Sequence, residues 1–396
     1  MRNKLILKIS EIGRKNPSKP NLKDINIFEY YFDEHNELKH NELSKIDGSL
    51  TRRELIARFL LLNVVLDQGP DMIGVRLLLA NVINELYKKE IRILHRPLDF
   101  FREIGISIDK IFQKHESIKK IRAKEWAKEN RSNPNKYNLF FAQSQRGVIS
   151  IKQVLDFGVH RWGVPLCVPL LLEKDLQKNR KESVEPLIEY LNSFDSAEIM
   201  SQQIKDNERY GMGSAIGDKA GHLFAKMFIH YFNLAGRYSA SWGPISYELP
   251  LDSNAGRVLF RTGILFDWIS KKNLIKHGVI QKRKIKDANH YIRVTKLREI
   301  CIDTFGNDKE FFEKYKKIVS DYLKVQTNPK KIKLQHIPNV LLMNTKYGIG
   351  DLDDGLMYIG TNFCFNHKNP RCGECPIRNN CVGFSKNRRL ITDYRT

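Results

Sequence analysis

Apolar residues along this chain recur mostly at three- and four-residue spacing, and runs of strict apolar–polar alternation are sparse. Between Thr51 and Leu66, the positions Leu55, Ile56, Phe59, Leu60 and Leu62 predict a helix with one buried face. Gly69-Pro70 punctuates the chain, and Ile73, Leu77, Ala80 and Ile83 resume the stripe after Asp71, which predicts a second helix. Similar patterns recur at Leu187 to Leu191, at Leu223, Phe224, Met227, Phe228 and Tyr231, and from Phe311 to Leu323. The fold class implied is mainly α. Three polar stretches stand apart: Ile118 to Lys136, with the turn signal Asn133-Pro134-Asn135, Lys174 to Glu185, and a basic run from Lys271 to Arg293. Each reads as a solvated face able to follow phosphates if the partner is a polyanion. The apolar segment from Gly158 to Leu172, interrupted by Pro165 and Pro169, reads as buried packing, and no internal repeat is evident.

Composition narrows the class. The 396 residues are 41% hydrophobic and 28% charged, with no low-complexity tract, which is enough apolar material for one large core or two smaller ones. Against 45 Asp and Glu stand 67 Lys and Arg, and a formal charge of +22 predicts attraction to a polyanion that weakens steeply with salt. Met1 to Ser10 alternates charge with short apolar pairs, and no apolar run reaches membrane-spanning length, so a cytoplasmic protein with no membrane partner is expected.

Of six cysteines, four crowd into the last 33 residues, as thiols of a metal site do and those of a secreted disulfide framework usually do not. Cys167 and Cys301 lie singly in apolar surroundings and are expected in the core. Cys364, Cys372, Cys375 and Cys381 are separated by seven, two and five residues, with Pro370 and Pro376 stiffening the loops. Zinc sites more often pair two short Cys-x-x-Cys knuckles, whereas one knuckle with two outlying cysteines suits a [4Fe-4S] cluster; both metals remain open on spacing alone. The run from Asp351 to Cys381 resembles the C-terminal part of endonuclease III and the related mismatch adenine glycosylase, in which a helix leads into a Cys-x6-Cys-x2-Cys-x5-Cys loop; here the first gap is one residue longer. The resemblance implies a structural [4Fe-4S] cluster on Cys364, Cys372, Cys375 and Cys381. It also implies a loop that meets the DNA backbone, here through Lys368, Arg371 and Arg378.

A glycine-rich turn from Gly211 to Gly217 precedes an apolar-faced helix, a place where backbone N–H groups and the helix dipole can receive a phosphate, although many such turns merely cap helices. Ala215-Ile216-Gly217-Asp218-Lys219-Ala220 resembles the helix-hairpin-helix of the same glycosylases, with Ala215 in place of the usual first hairpin glycine. The resemblance puts Lys219 on the catalytic lysine of the bifunctional members and Gly213, Ala215 and Gly217 at the DNA backbone. Downstream, YELPLDSNAGRVLFRTGI reads locally as a helix capped by Asp252-Ser253. It resembles the segment carrying the family's catalytic aspartate, matched by Asp252, followed by Arg257, which is expected at the DNA, and by Arg261 and Thr262. Early in the chain, LLLNVVLDQGPDMIGVR resembles the turn that supplies a glutamine to the space left by an extruded base, with Gln68 and Asp71 in those positions.

Together these matches span about half the chain and imply a two-domain helix-hairpin-helix DNA glycosylase fold with an iron-sulfur cluster loop. Residues 51–244 would form a helical barrel domain with the hairpin and insertions. Residues 1–50 plus 245–396 would form a second helical domain carrying Asp252 and the cluster loop 364–381. The implied activity is that of a monomeric, bifunctional DNA glycosylase and AP lyase acting on double-stranded DNA with a damaged or mismatched base. The alternatives are a monofunctional glycosylase and a non-catalytic iron-sulfur nucleic-acid-binding protein; an acid beside phosphates, Asp252, argues against the last.

Overall fold

The computed structural model of the chain describes residues 2–30, 50–67, 72–121, 151–236, 240–302, 308–325 and 331–396. The described residues are mainly helical, with five short strands. The chain divides into two compact units: Met1–Ser18, Asp195–Ile199 and Arg237–Thr396 form the first, Lys19–Phe194 and Met200–Gly236 the second. None of the described helices is long and apolar enough to cross a membrane.

The second unit is organised around the helix Arg52–Leu66, whose N-cap Thr51 accepts a hydrogen bond from the Glu54 N–H. A single buried face is expected from the stripe of apolar positions, but every residue from Glu54 to Leu66 is buried. The reason is that helices Met72–Lys88, Ile151–Lys178, Pro186–Asn192 and Asp218–Lys226 all pack on it. Its polar residues are consumed internally. Arg58, 1% exposed, pairs with Glu54 at 2.8 Å and with Glu173 at 2.7 Å, and the Glu54 carboxylate also accepts the N–H groups of Leu187 and Ile188 at the start of Pro186–Asn192. Pro165 and Pro169 do not interrupt the chain; both lie inside the helix Ile151–Lys178. A proline there forfeits one backbone bond, and burial of Val164, Leu166, Cys167 and Val168 supplies the compensating packing.

In the first unit the helix Arg2–Lys15 crosses Ile349–Asn362 with the two backbones touching. A Cβ on Gly13 would lie 1.9 Å from the Asp351 carbonyl oxygen, and one on Gly355 would lie 2.0 Å from that of Ile9. The helix Ser253–Arg261 packs on the other part of Ile349–Asn362. The basic run becomes a hairpin: β1 (Ile280–Ile285) pairs antiparallel with β2 (Ala288–Ile292), turning at Asp287 in the left-handed region that Asp tolerates. Strand β2 pairs in parallel with β5 (Tyr394–Arg395). A separate ribbon joins β3 (Cys301–Ile302) to β4 (Ile332–Lys333). Cys301 is exposed there, against the core placement expected for it, because the pleat and not the apolar neighbourhood decides which side a strand residue faces. Cys167 is buried, and burial pushes its thiol well above the usual range.

Candidate functional site

The four clustered cysteines line one small pocket walled by Val258, Ile359, Phe363 and Ile377. Local turns bring them there. Cys364 follows directly on Ile349–Asn362, its N–H bonded to the Ile359 carbonyl, and Cys372 and Cys375 flank a tight turn closed by the Cys375 N–H on the Cys372 carbonyl. Cys381 caps the short helix Val382–Ser385 and lies 3.5 Å from the Arg261 carbonyl oxygen. All six cysteines are free thiols. Burial pushes the Cys375 thiol up to about 11; the Ile377 N–H opposes this, and charge on Cys364, Cys381 and Cys372 adds to it. Among the described residues no three of these sulfurs gather within 4.8 Å of one another. Four thiolates on a single zinc would sit about 3.8 Å apart.

Two cations face the loop. Arg257, 3% exposed, donates to the carbonyls of Cys364 (2.6 Å) and Gly360 (3.2 Å) and to the Thr396 hydroxyl (2.9 Å). Burial lowers its pKa to about 10, partly offset by charge on Cys364. Arg261, 1% exposed, reaches the Cys364 sulfur at 3.7 Å and the carbonyls of Phe365, His367, Ile391 and Tyr394 at 3.0 to 3.4 Å. None of these hydrogen-bond partners is a carboxylate. The expectation of Arg257 at a DNA surface is therefore corrected: its guanidinium is enclosed and braces the Cys364 loop. Lys368, Arg371 and Arg378 are exposed on that loop, Arg371 beside Glu374 at 3.1 Å and Arg378 on the Gly373 carbonyl.

Asp252 is the N-cap of Ser253–Arg261 and accepts the Ala255 N–H at 2.8 Å. The segment before it is held by side chains from far along the chain. Asn339 Nδ2 donates to the carbonyls of Ile245 (2.5 Å) and Tyr247 (2.9 Å), Gln335 Nε2 to that of Leu249 (3.0 Å), and Arg298 to that of Leu251. Between these grips the buried Glu248 carboxylate binds His336 Nε2 at 2.7 Å and the Lys333 ammonium, and its N–H donates to Glu198 at 3.0 Å. Burial works against the charge on Lys333, but Glu248 outweighs it and holds the pKa above the usual lysine value. Sequence reasoning missed Arg298, Lys333, Gln335, His336 and Asn339, since nothing in their local pattern signals a partner some fifty to ninety positions away.

Lys219 stands in the first turn of the helix Asp218–Lys226, half-buried, in the unit that does not contain Asp252. The preceding turn is closed by the N–H groups of Ala215 and Ile216 on the Met212 carbonyl, at 2.8 and 3.1 Å. Its glycines divide into two kinds. A Cβ on Gly213 would lie 2.9 Å from the Lys205 carbonyl oxygen and one on Gly221 2.6 Å from that of Ser201, so close backbone approach accounts for both. A Cβ on Gly217 would meet nothing within 4 Å, and its φ of −110° needs no glycine. Asp218 is engaged by Lys205, whose ammonium also lies 3.1 Å from Asp206. Gln68 and Asp71 lie outside the described residues; the neighbouring Asp67 is buried and paired with Arg76 at 2.9 Å. No family model, no curated protein and no solved structure matches this chain.

Proposed function

We propose that this chain is a bifunctional DNA glycosylase and AP lyase of the helix-hairpin-helix, iron-sulfur kind. The observation that carries the proposal is the nine-residue helix Ser253–Arg261. A carboxylate caps one end, and of two buried cations on the same element Arg261 lines the four-thiol pocket while Arg257 holds the Cys364 carbonyl. At 1.5 Å per residue the two ends are about 14 Å apart, so the element couples an acid to a metal-type loop within one rigid length. Gly217 adds support from the other unit, since an exposed glycine with open space at its Cα and no internal steric need suits close approach of a phosphate to a helix N-terminus.

In this mechanism the target nucleotide leaves the stack. The neutral amine of Lys219 attacks C1′, the C1′–N bond breaks, and the base departs with the bonding pair and a proton. Asp252, at the helix N-terminus and accepting the Ala255 N–H, stabilises the cationic sugar as it develops. The C1′–O4′ bond then breaks with a solvent proton delivered to O4′, and the resulting protonated Schiff base acidifies C2′, whose proton is lost as the bond to the 3′ phosphate breaks. Cys364, Cys372, Cys375 and Cys381 would hold a [4Fe-4S] cluster, which when bound ties the loop together and supplies negative charge opposite Arg257 and Arg261. Four thiols on one pocket and the apolar walls around it favour that group. The partner is duplex DNA, bound by a monomer at the nucleoid. A panel of duplexes, each carrying one damaged or mismatched base, tests the proposal: at least one should be cut at the lesion, and failure to excise from any of them refutes it.

A further inference from the structure

We propose that the hairpin β1–β2 is a second, sequence-independent grip on the phosphate backbone of duplex DNA. From Lys271 to Lys296 the chain carries nine Lys and Arg against one acid, Asp287. That acid lies 3.8 Å from Arg395. Lys282, Arg283, Lys284 and Lys286 are all exposed around the hairpin tip, and Lys271, Lys272, Lys276 and Arg293 are exposed at its base. On the helix Lys309–Lys317 of the same unit, by contrast, Lys314 pairs with Glu310 at 2.6 Å and Lys316 with Glu313 at 2.7 Å. An unbalanced cationic ribbon repels itself and gains most from a dense row of anions, and a two-stranded ribbon is narrow enough to follow a duplex groove between its phosphate walls.

The hairpin is also anchored to the cluster loop. Strand β2 pairs with β5, Tyr394 of β5 packs its ring 4.8 Å from those of Phe260 and His290, and Arg261 donates to the Tyr394 carbonyl. The cations are thus carried by the block that presents Lys368, Arg371 and Arg378, and the choice of DNA over another polyanion rests on the function proposed above.

The test is binding of the full-length protein to undamaged duplexes of two unrelated sequences over a range of salt. Lys282→Gln, Arg283→Gln, Lys284→Gln and Lys286→Gln combined should weaken binding at least tenfold and flatten the plot of log K against log salt. The slope should fall by about 0.9 for each phosphate that is no longer neutralised, up to about 3.6, equally on both sequences. A charge-matched control removing Lys309, Lys314, Lys316 and Lys317 should leave the slope near the wild-type value. An unchanged slope in the hairpin variant, an equal change in the control, or an effect confined to one sequence overturns the inference. So does retention of duplex DNA binding with loss of binding to an acidic peptide. Because the duplexes are undamaged, a flattened slope in a protein that excises nothing would sink the glycosylase proposal and leave the hairpin grip standing.

Discussion

Replacing Arg261 by methionine removes a side chain that ties the start of the cysteine loop and the segment after it to its supporting helix. Its guanidinium donates to carbonyls on two separate stretches, Phe365 and His367 on one and Ile391 and Tyr394 on the other, with Cys364 Sγ a fifth neighbour at 3.7 Å. Hydrogen bonds from a charged donor contribute about 1.5–3 kcal/mol each. A simple sum over four carbonyls overshoots, because burying the guanidinium itself is costly and the Tyr394 bond at 3.4 Å is weak. Some orphaned carbonyls will also recruit water, so the net loss should be about 3–5 kcal/mol. Lysine keeps the charge but cannot span the two stretches, so Arg261→Lys should recover less than half of it. Denaturant unfolding followed by far-ultraviolet circular dichroism, with visible absorbance read in parallel, measures both effects. A loss below about 1 kcal/mol in Arg261→Met, or full recovery in Arg261→Lys, refutes the bracing role.

Cys372→Ser and Cys375→Ser should each bleach a broad visible absorption and destabilise the C-terminal loop; a colourless wild-type protein holding stoichiometric zinc after anaerobic preparation contradicts the cluster. Asp252→Asn keeps a competent N-cap while removing the charge, so duplex affinity should hold or rise while excision falls by at least a hundredfold; excision at the wild-type rate would make Asp252 a helix cap alone. His95 is buried, and burial, followed by the charges of Arg58 and Arg92, lowers its pKa to about 3. Between that value and the unfolded value of about 6.5 only the unfolded chain binds the proton, so the stabilisation is present above about pH 6.5 and lost as pH falls toward 3. Between about pH 5.5 and 4, unfolding free energy should decline more steeply in the wild type than in His95→Asn by about 1.4 kcal/mol per pH unit, and equal slopes would show that His95 is protonated in the fold.

What the sequence discloses follows the range of the interactions involved. The cysteine loop is legible because its four thiols fall within eighteen residues and local turns suffice to gather them. Asp252 is legible as a cap because its acceptor role is closed by Ala255, three residues on. The helix Arg52–Leu66 is legible as a helix, but its all-round burial is hidden by Glu54, Arg58 and Asn63, polar residues whose partners are distant in the chain. The hairpin is illegible for the opposite reason. Lys282, Arg283 and Lys284 are exposed in succession, so the period-two signal of a half-buried strand vanishes. The frame before Asp252 consists of single long-range hydrogen bonds from Arg298, Gln335 and Asn339, and no local spacing encodes them.

Lys219 alone separates a glycosylase-lyase from every alternative, and the covalent chemistry proposed for it can be tested directly. Borohydride added during turnover on a cleaved duplex should reduce the Schiff base and yield one protein–DNA species that survives denaturation. Lys219→Gln should abolish that species while leaving fold and most duplex affinity intact, since one of many cations is removed. Two nearby lysines serve as controls: Lys205, whose pKa is held up by its bonds to Asp218 and Asp206 although burial works against them, and Lys226, 1% exposed. Trapping abolished in Lys219→Gln and retained in Lys205→Gln is the predicted result. Trapping that persists in Lys219→Gln and disappears in Lys205→Gln or Lys226→Gln would contradict the assignment of the nucleophile.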